Sequence, residues 1–338
     1  MINNSIEEIA GLFSGEDSET LLIIGNGFDL DLGLKTGYKD YVNSDKWPFK
    51  HCSILSPRLG SYLRRKTLVH WYDVESVMEQ YCSRTSLANK LRMNWKPFVN
   101  KVREDDEKLR NGLVEYLIEA ENGELNKESI AATILKKCCE SIEPATIYSF
   151  NYTDLESIAK RLNIELNYSP KYVHGTLKNK DIVLGFSETK DIVPELSFMC
   201  KSHRDTYSHT PLIRDISKFS NIIFFGLSFG EIDYGYFKDF FDGVCDGRYD
   251  NKFIRIVTKD EESRQSILNN IGKMTGKIFD IGKHSNFKVI RTAVVSDKSD
   301  FTELYSILAP QIGEDYDIDD NLDRYFCSVP NDIKRYKQ

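Results

Sequence analysis

Leu21-Leu22-Ile23-Ile24 is an unbroken apolar run that stops at Gly25-Asn26-Gly27. A short apolar run ended by small turn residues reads as a buried strand feeding a tight turn. The same pattern recurs at Ala145–Phe150, Tyr172–His174, Ile182–Phe186, Asn221–Gly226, Phe253–Thr258 and Lys288–Val295. These runs are continuous rather than alternating, as expected for a parallel sheet covered on both faces. Helical spacing fills the gaps. Leu155, Ile158, Ala159 and Leu162 share one helix face, as do Tyr234, Phe237, Phe240 and Phe241. Alternating strands and helices predict an α/β fold, a Rossmann-like, doubly wound and mostly parallel sheet.

One connection breaks the alternation. Between Gly27 and Ala145 no strand pattern occurs, whereas a crossover helix needs only a dozen or so residues. The stretch reads as a large helical insertion after the first strand. The expected organisation is a core of residues 1–45 and 140–310, an insertion at 46–139, and an acidic C-terminal tail or cap at 311–338.

Charge sharpens this division. The 338 residues carry a formal charge of −7, yet residues 46–103 hold twelve Lys or Arg against Asp73, Glu75 and Glu79. That stretch has an excess of nine positive charges, so the remainder carries −16. Residues 104–124 then turn acidic. Solvated helix faces account for such a patch; so does attraction of a phosphorylated ligand or an acidic partner. The overall negative charge speaks against duplex nucleic acid as the main partner. With 41% apolar and 29% charged residues the composition is that of a globular domain. No apolar run approaches the ~20 residues of a membrane span. Met1 to Thr20 has acids and no basic residue, unlike a signal peptide, so a cytoplasmic location is expected. The seven scattered cysteines then read as reduced thiols. Neither C-x-x-C nor H-E-x-x-H occurs, so no metal site is expected.

Candidate chemistry gathers at strand ends. Gly25-Asn26-Gly27-Phe28-Asp29 follows the first strand, where small residues and helix N-terminal amides suit a phosphate. It is neither a dinucleotide fingerprint, since Leu30 replaces the third glycine, nor a P-loop. A tight structural turn explains the glycines equally well. Asn151 leaves the next strand, and either Thr153 or Asp154 is placed to cap the helix behind it. His174-Gly175 ends a third run, and histidine suits proton transfer near neutral pH. Gly226-Leu227-Ser228-Phe229-Gly230 ends a fourth, with Asp233 beyond it as a ligand contact or helix cap. A nucleophile-elbow reading of Ser228 needs an acid and then a histidine downstream, and only His284 follows. In an open sheet these strand ends converge on one crevice.

Together with Trp71-Tyr72-Asp73-Val74-Glu75, Phe150-Asn151-Tyr152-Thr153 and Asp233-Tyr234, these motifs make the chain resemble the bacteriophage abortive-infection AbiH-like proteins, distantly sirtuin-like. The resemblance spans Leu21 to about Phe241. It implies a Rossmann-like site for NAD. Gly25, Asn26 and Gly27 would meet the phosphates, with Phe28 and Asp29 adjoining. Asn151 would work at the nicotinamide ribose and His174 would be the general base. Gly226 and Ser228 would contact the adenosine half. Asp154 stands three residues after Asn151, where sirtuins place an acid two residues on. The sirtuin cysteine tetrad is missing, which counts against deacylation.

The expected activity is anti-phage defence by hydrolysis of NAD to nicotinamide and ADP-ribose. The leaving group departs neutral, so the site must hold the ribose, stabilise an oxocarbenium-like cation and deliver water. Asp29, Asp73, Glu75 and Asp154 are the acids available for the cation. Asp73 and Glu75 contribute only if the insertion folds over the crevice. A nucleotide sensor without turnover and a nucleic-acid effector using the basic stretch remain open. A phage protein as trigger and a homo-oligomer are further expectations.

Overall fold

The computed structural model describes residues 20–69, 73–85, 95–140, 145–205, 207, 212–249, 252–277 and 280–295. The expected tail at 311–338 lies outside the described residues. Among these, six strands form one parallel sheet: β1 (Thr20–Ile24), β2 (Thr146–Ser149), β3 (Lys171–Tyr172), β4 (Asn221–Phe225), β5 (Lys252–Thr258) and β6 (Ser285–Arg291). Their order is β3-β2-β1-β4-β5-β6, all pairs parallel. This is the doubly wound Rossmann-like order. It reverses between β1 and β4, where such folds open a crevice.

The apolar runs are continuous because successive residues serve opposite faces. Leu22, Ile24, Ile147, Ile223 and Phe225 face one core, with α1 (Asn26–Asp31), α6 (Ile130–Glu140) and α7 (Leu155–Arg161). Leu21, Ile23, Tyr148, Ile222 and Phe224 face the other, with α8 (Tyr234–Cys245) and α9 (Glu261–Thr275). Two expected strands differ. Ile182–Phe186 makes only an isolated bridge, Phe186 to Cys200. Its apolar side chains are buried against the insertion rather than in the sheet. The last strand starts and ends earlier than its apolar run, and Thr292–Val295 turns helical.

Between β1 and β2 the described residues are helical: α2 (Tyr38–Asn43), α3 (Leu59–Leu68), α4 (Val74–Cys82) and α5 (Trp95–Glu121) precede α6. α2 to α5 build a third core with Leu177–Cys200 from beyond β3. α6 instead joins the sheet. Part of the basic stretch is neutralised within the insertion. Arg58 pairs with Asp105 and with Glu104, and Lys46 lies 2.8 Å from Glu119. The buried pair Arg204–Asp106, at 2.7 Å, ties α5 to the segment after Cys200.

The turns after β1 and β4 touch backbone to backbone. The Gly27 amide donates to the Gly226 carbonyl at 3.0 Å. A Cβ on Gly226 would stand 2.4 Å from the Gly27 Cα and from the Phe28 nitrogen. Gly226 also has φ +69, a conformation that glycine adopts freely. Nearby Phe229 has φ +52 despite its side chain. Its ring is fully buried against Phe224, Phe237 and Phe241, which offsets the strain.

Gly226→Ala is expected to destabilise the chain by about 2 kcal/mol or more. Gly235→Ala, where an added Cβ meets nothing within 4 Å on a helix, is the control. It is expected to stabilise by about 0.5–1 kcal/mol. Urea unfolding midpoints at unchanged slope measure both.

Candidate functional site

Asp29 sits in the first turn of α1 and is 1% exposed. It has no cationic partner among its hydrogen-bonding neighbours. Asn151 Nδ2 donates to its Oδ1 at 2.8 Å and Thr153 Oγ1 to its Oδ2 at 2.9 Å. Burial pushes its pKa from 3.8 up to about 7. Thr153, Asn151 and Thr36 pull against that rise, and the carboxylate of Glu121 adds to it.

Asn151 is fixed from both ends. Its backbone amide donates to Ser149 Oγ at 3.1 Å, and its side-chain amide also reaches the Gly25 carbonyl at 3.1 Å. Both hydrogens of Nδ2 are therefore engaged. Among the described residues no donor reaches Oδ1, so Asn151 presents a held acceptor.

His174 leaves the sheet just beyond β3. The Val173 amide still bonds the Ser149 carbonyl, and the His174 carbonyl takes the Val183 amide. Gly175 has φ +75, and a Cβ there would meet the Asp181 carbonyl at 2.1 Å, so the turn requires glycine. The His174 ring lies edge-on to Phe150 and Tyr236 and is 5% exposed. Its Nε2 is 3.3 Å from Nζ of Lys201, itself 4% exposed. Among the described residues its Nδ1 is buried without a hydrogen-bond partner of good geometry. Burial first, then the Lys201 charge, holds its pKa well below the ordinary 6.5, the Val173 backbone acting the other way.

The insertion does reach this place. Glu75, on α4, lies 3.4 Å from the Lys201 ammonium and accepts the Gly185 amide at 3.1 Å. Burial raises the Glu75 pKa against the pull of Lys201 and Gly185, with Asp233 and Asp73 adding to the rise. Asp233 is raised by burial too, moderated by Lys201. Asp73 is the N-cap of α4, accepting the Ser76 amide at 3.0 Å. Tyr38 and Tyr152 are hydrogen-bonded beside Glu75, and burial raises both phenols.

The other expected residues divide. Asp154, rather than Thr153, caps α7, accepting the Glu156 amide at 3.1 Å. Its second oxygen lies 3.9 Å from Lys178, away from the Asn151 pair. Gly25 and Gly27 answer to packing: added Cβ atoms would collide with Leu227 and Gly226. The Gly27 and Phe28 amides bond the Gly226 and Gly25 carbonyls. Phe28 is wholly buried against Phe225, so its ring is core. Asn26 and Ser228 are exposed at the two turns, Asn26 accepting from Thr36 at 2.7 Å. Lys201, Thr153 and Ser149 were not readable as partners. Thr153 lay inside the recognised Phe-Asn-Tyr-Thr motif, whereas Lys201 carries no local signal. Among the described residues no group of His, Cys, Asp and Glu is arranged to hold a metal. None of their helices is long and apolar enough to cross a membrane.

The fold and these strand-end groups define a Rossmann-like α/β protein with polar residues at the carboxyl ends of its strands. The chain belongs to the bacteriophage abortive infection AbiH family, whose profile matches residues 21–248. That membership gives it a role in anti-phage abortive infection. No curated protein matches it.

The raised pKa of Asp29 has a definite sign. The folded chain binds its proton more tightly than the unfolded chain, so the stabilisation is complete below pH ~4 and is lost as pH rises through about 7. Relative to Asp29→Asn, wild type is expected to lose about 3–4 kcal/mol between pH 4 and 8. Urea unfolding of both proteins across that range measures the difference. A difference independent of pH would mean that Asp29 titrates alike folded and unfolded.

Proposed function

We propose that this abortive-infection protein hydrolyses NAD at the nicotinamide–ribose bond, in a crevice of sirtuin-like type. The observation that carries the reading is that Asn151 and His174 follow the paired strands β2 and β3 at the same end of the sheet, with Phe150 edge-on to His174. Asn151, locked by Asp29 and Gly25, offers Oδ1 as an acceptor. Glu75, Asp73 and Asp233 lie within electrostatic reach of one another beside the Lys201–His174 contact.

Water replaces nicotinamide at the ribose carbon, giving ADP-ribose, neutral nicotinamide and one proton. Asn151 Oδ1 orients the attacking water or a ribose hydroxyl. The carboxylates favour the cation that develops on the sugar, because such charges act strongly where water is excluded. His174 lies at the same end of the sheet to orient the ribose, and the released proton passes to solvent. Exposed Asn26 and Ser228 are the side chains left for the diphosphate and adenosine half. A phage protein is the trigger that fits a defence enzyme held silent beforehand.

A nucleotide sensor without turnover is the second reading. It is favoured by the engagement of His174 Nε2 with Lys201, which leaves that nitrogen no vacancy as a base.

Nicotinamide release from NAD by the purified chain, and cellular NAD during phage challenge, test the proposal. Wild type is expected to release nicotinamide and deplete NAD. Asn151→Ala is expected to lower the rate about 100-fold or more. Bound but intact NAD, with protection of the culture retained, would favour the sensor. Hydrolysis untouched by both Asn151→Ala and His174→Ala would place the chemistry elsewhere.

A further inference from the structure

We infer that Lys201 is a positioning residue of this crevice: by donating to Nε2 of His174 it fixes the neutral ring with its hydrogen on Nδ1, so that His174 meets a ligand as a hydrogen-bond donor and not as a base. That the crevice is the working site rests on the reading above; the tautomer does not.

The geometry leaves little choice. An ammonium has donors and no acceptor, so a ring nitrogen 3.3 Å from Lys201 Nζ must be the unprotonated one. A neutral imidazole then carries its hydrogen on the other nitrogen. Among the described residues Nδ1 is buried without a partner of good hydrogen-bond geometry, the Val173 backbone being the acceptor that acts weakly on the ring. A buried donor left unpaired is unfavourable, and an acceptor oxygen arriving there relieves it. Sugar hydroxyl oxygens are of that kind.

Lys201 is itself held. Glu75 faces its ammonium from α4. Just past the single helical turn Lys201–His203, Arg204 anchors the same segment: it grips Asp106 with two guanidinium nitrogens at 2.7 and 2.8 Å and reaches the Leu184 carbonyl at 3.1 Å. The titratable and charged groups around His174 are thus Lys201 in contact, Tyr236 of α8 ring to ring, and Glu75, Asp73 and Asp233 behind Lys201. Protonating His174 would set two cations 3.3 Å apart in a shielded site. The ring therefore stays neutral, as its lowered pKa also indicates.

The test is imidazole nitrogen spectroscopy on the full chain labelled with 15N-histidine, His174 being assigned by its loss in His174→Gln. In wild type at pH 7 we expect a protonated Nδ1 and a bare Nε2, unchanged on acidification to pH 5. Lys201→Arg keeps a charged donor and should keep this tautomer. Lys201→Met removes donor and charge, so His174 should lose the fixed tautomer and protonate at a pH higher by about one or more. A wild-type spectrum with hydrogen on Nε2, or with both nitrogens protonated at pH 7, overturns the inference even if no variant folds. So does a Lys201→Met protein whose tautomer and titration match wild type. NAD turnover is a separate readout. A chain that never cleaves NAD yet shows Nδ1–H keeps this inference and loses the hydrolase reading, and the converse result reverses them.

Discussion

The backbones of Gly27 and Gly226 meet with no room for a side chain between them. Because β1 and β4 are neighbours at the point where the sheet order reverses, their exits must share one small space. The contact lets α1 begin immediately after β1. Asp29 is then carried one turn along, under the exit of β2, where Asn151 and Thr153 reach it. A wider turn would move Asp29 away from both donors and leave Asn151 with only the Gly25 carbonyl. One backbone approach thus fixes a carboxylate, and the carboxylate fixes an amide.

The polar groups at this edge are buried unevenly. Asp29 has neutral donors and no cation within hydrogen-bonding distance, and its proton affinity rises accordingly. Lys201 has the opposite problem and a different solution, a carboxylate on one side and a neutral ring on the other. The carboxylate comes from the insertion, and Lys201 from a segment beyond β3 that packs in the same core as the insertion. The insertion is therefore no separate appendage. It supplies Glu75 to a site that also takes Lys201 from the segment beyond β3 and His174 from the end of β3. Most of that binding together is apolar, and the Arg204–Asp106 pair adds direction, since two parallel guanidinium bonds allow little rotation.

Much of the sheet was legible because apolar runs report burial on two faces and glycines report where a strand stops. Ile182–Phe186 misled for the same reason. Burial against the insertion makes the same apolar run as burial in a sheet. The strand-end motifs located Asn151, His174 and Gly226 because each pairs a polar or small residue with an apolar run. What they do there was less legible. The glycines of the first turn looked like room for a phosphate and are instead room for Gly226. Thr153 and Asp154 offered the same helix-capping chemistry, and only the position of Asp29 assigns Asp154 to the cap. Lys201 was invisible, since its partners lie 27 and 126 positions away in the chain.

The charges at the strand ends answer one another locally. Lys201 is the charge that acts on His174, while Glu75 and Asp233 act on Lys201, with Asp73 beside both acids. At the glycine turns Asn26 and Ser228 are exposed, and Asp29 is enclosed in its own hydrogen bonds. The basic stretch of the insertion has partners of its own. Arg58 and Lys46 are answered by acids of α5, so part of the local excess of positive charge is already neutralised inside the fold. The field that a ligand meets at the strand ends is set by the few buried groups there, and less by the sign of the chain as a whole.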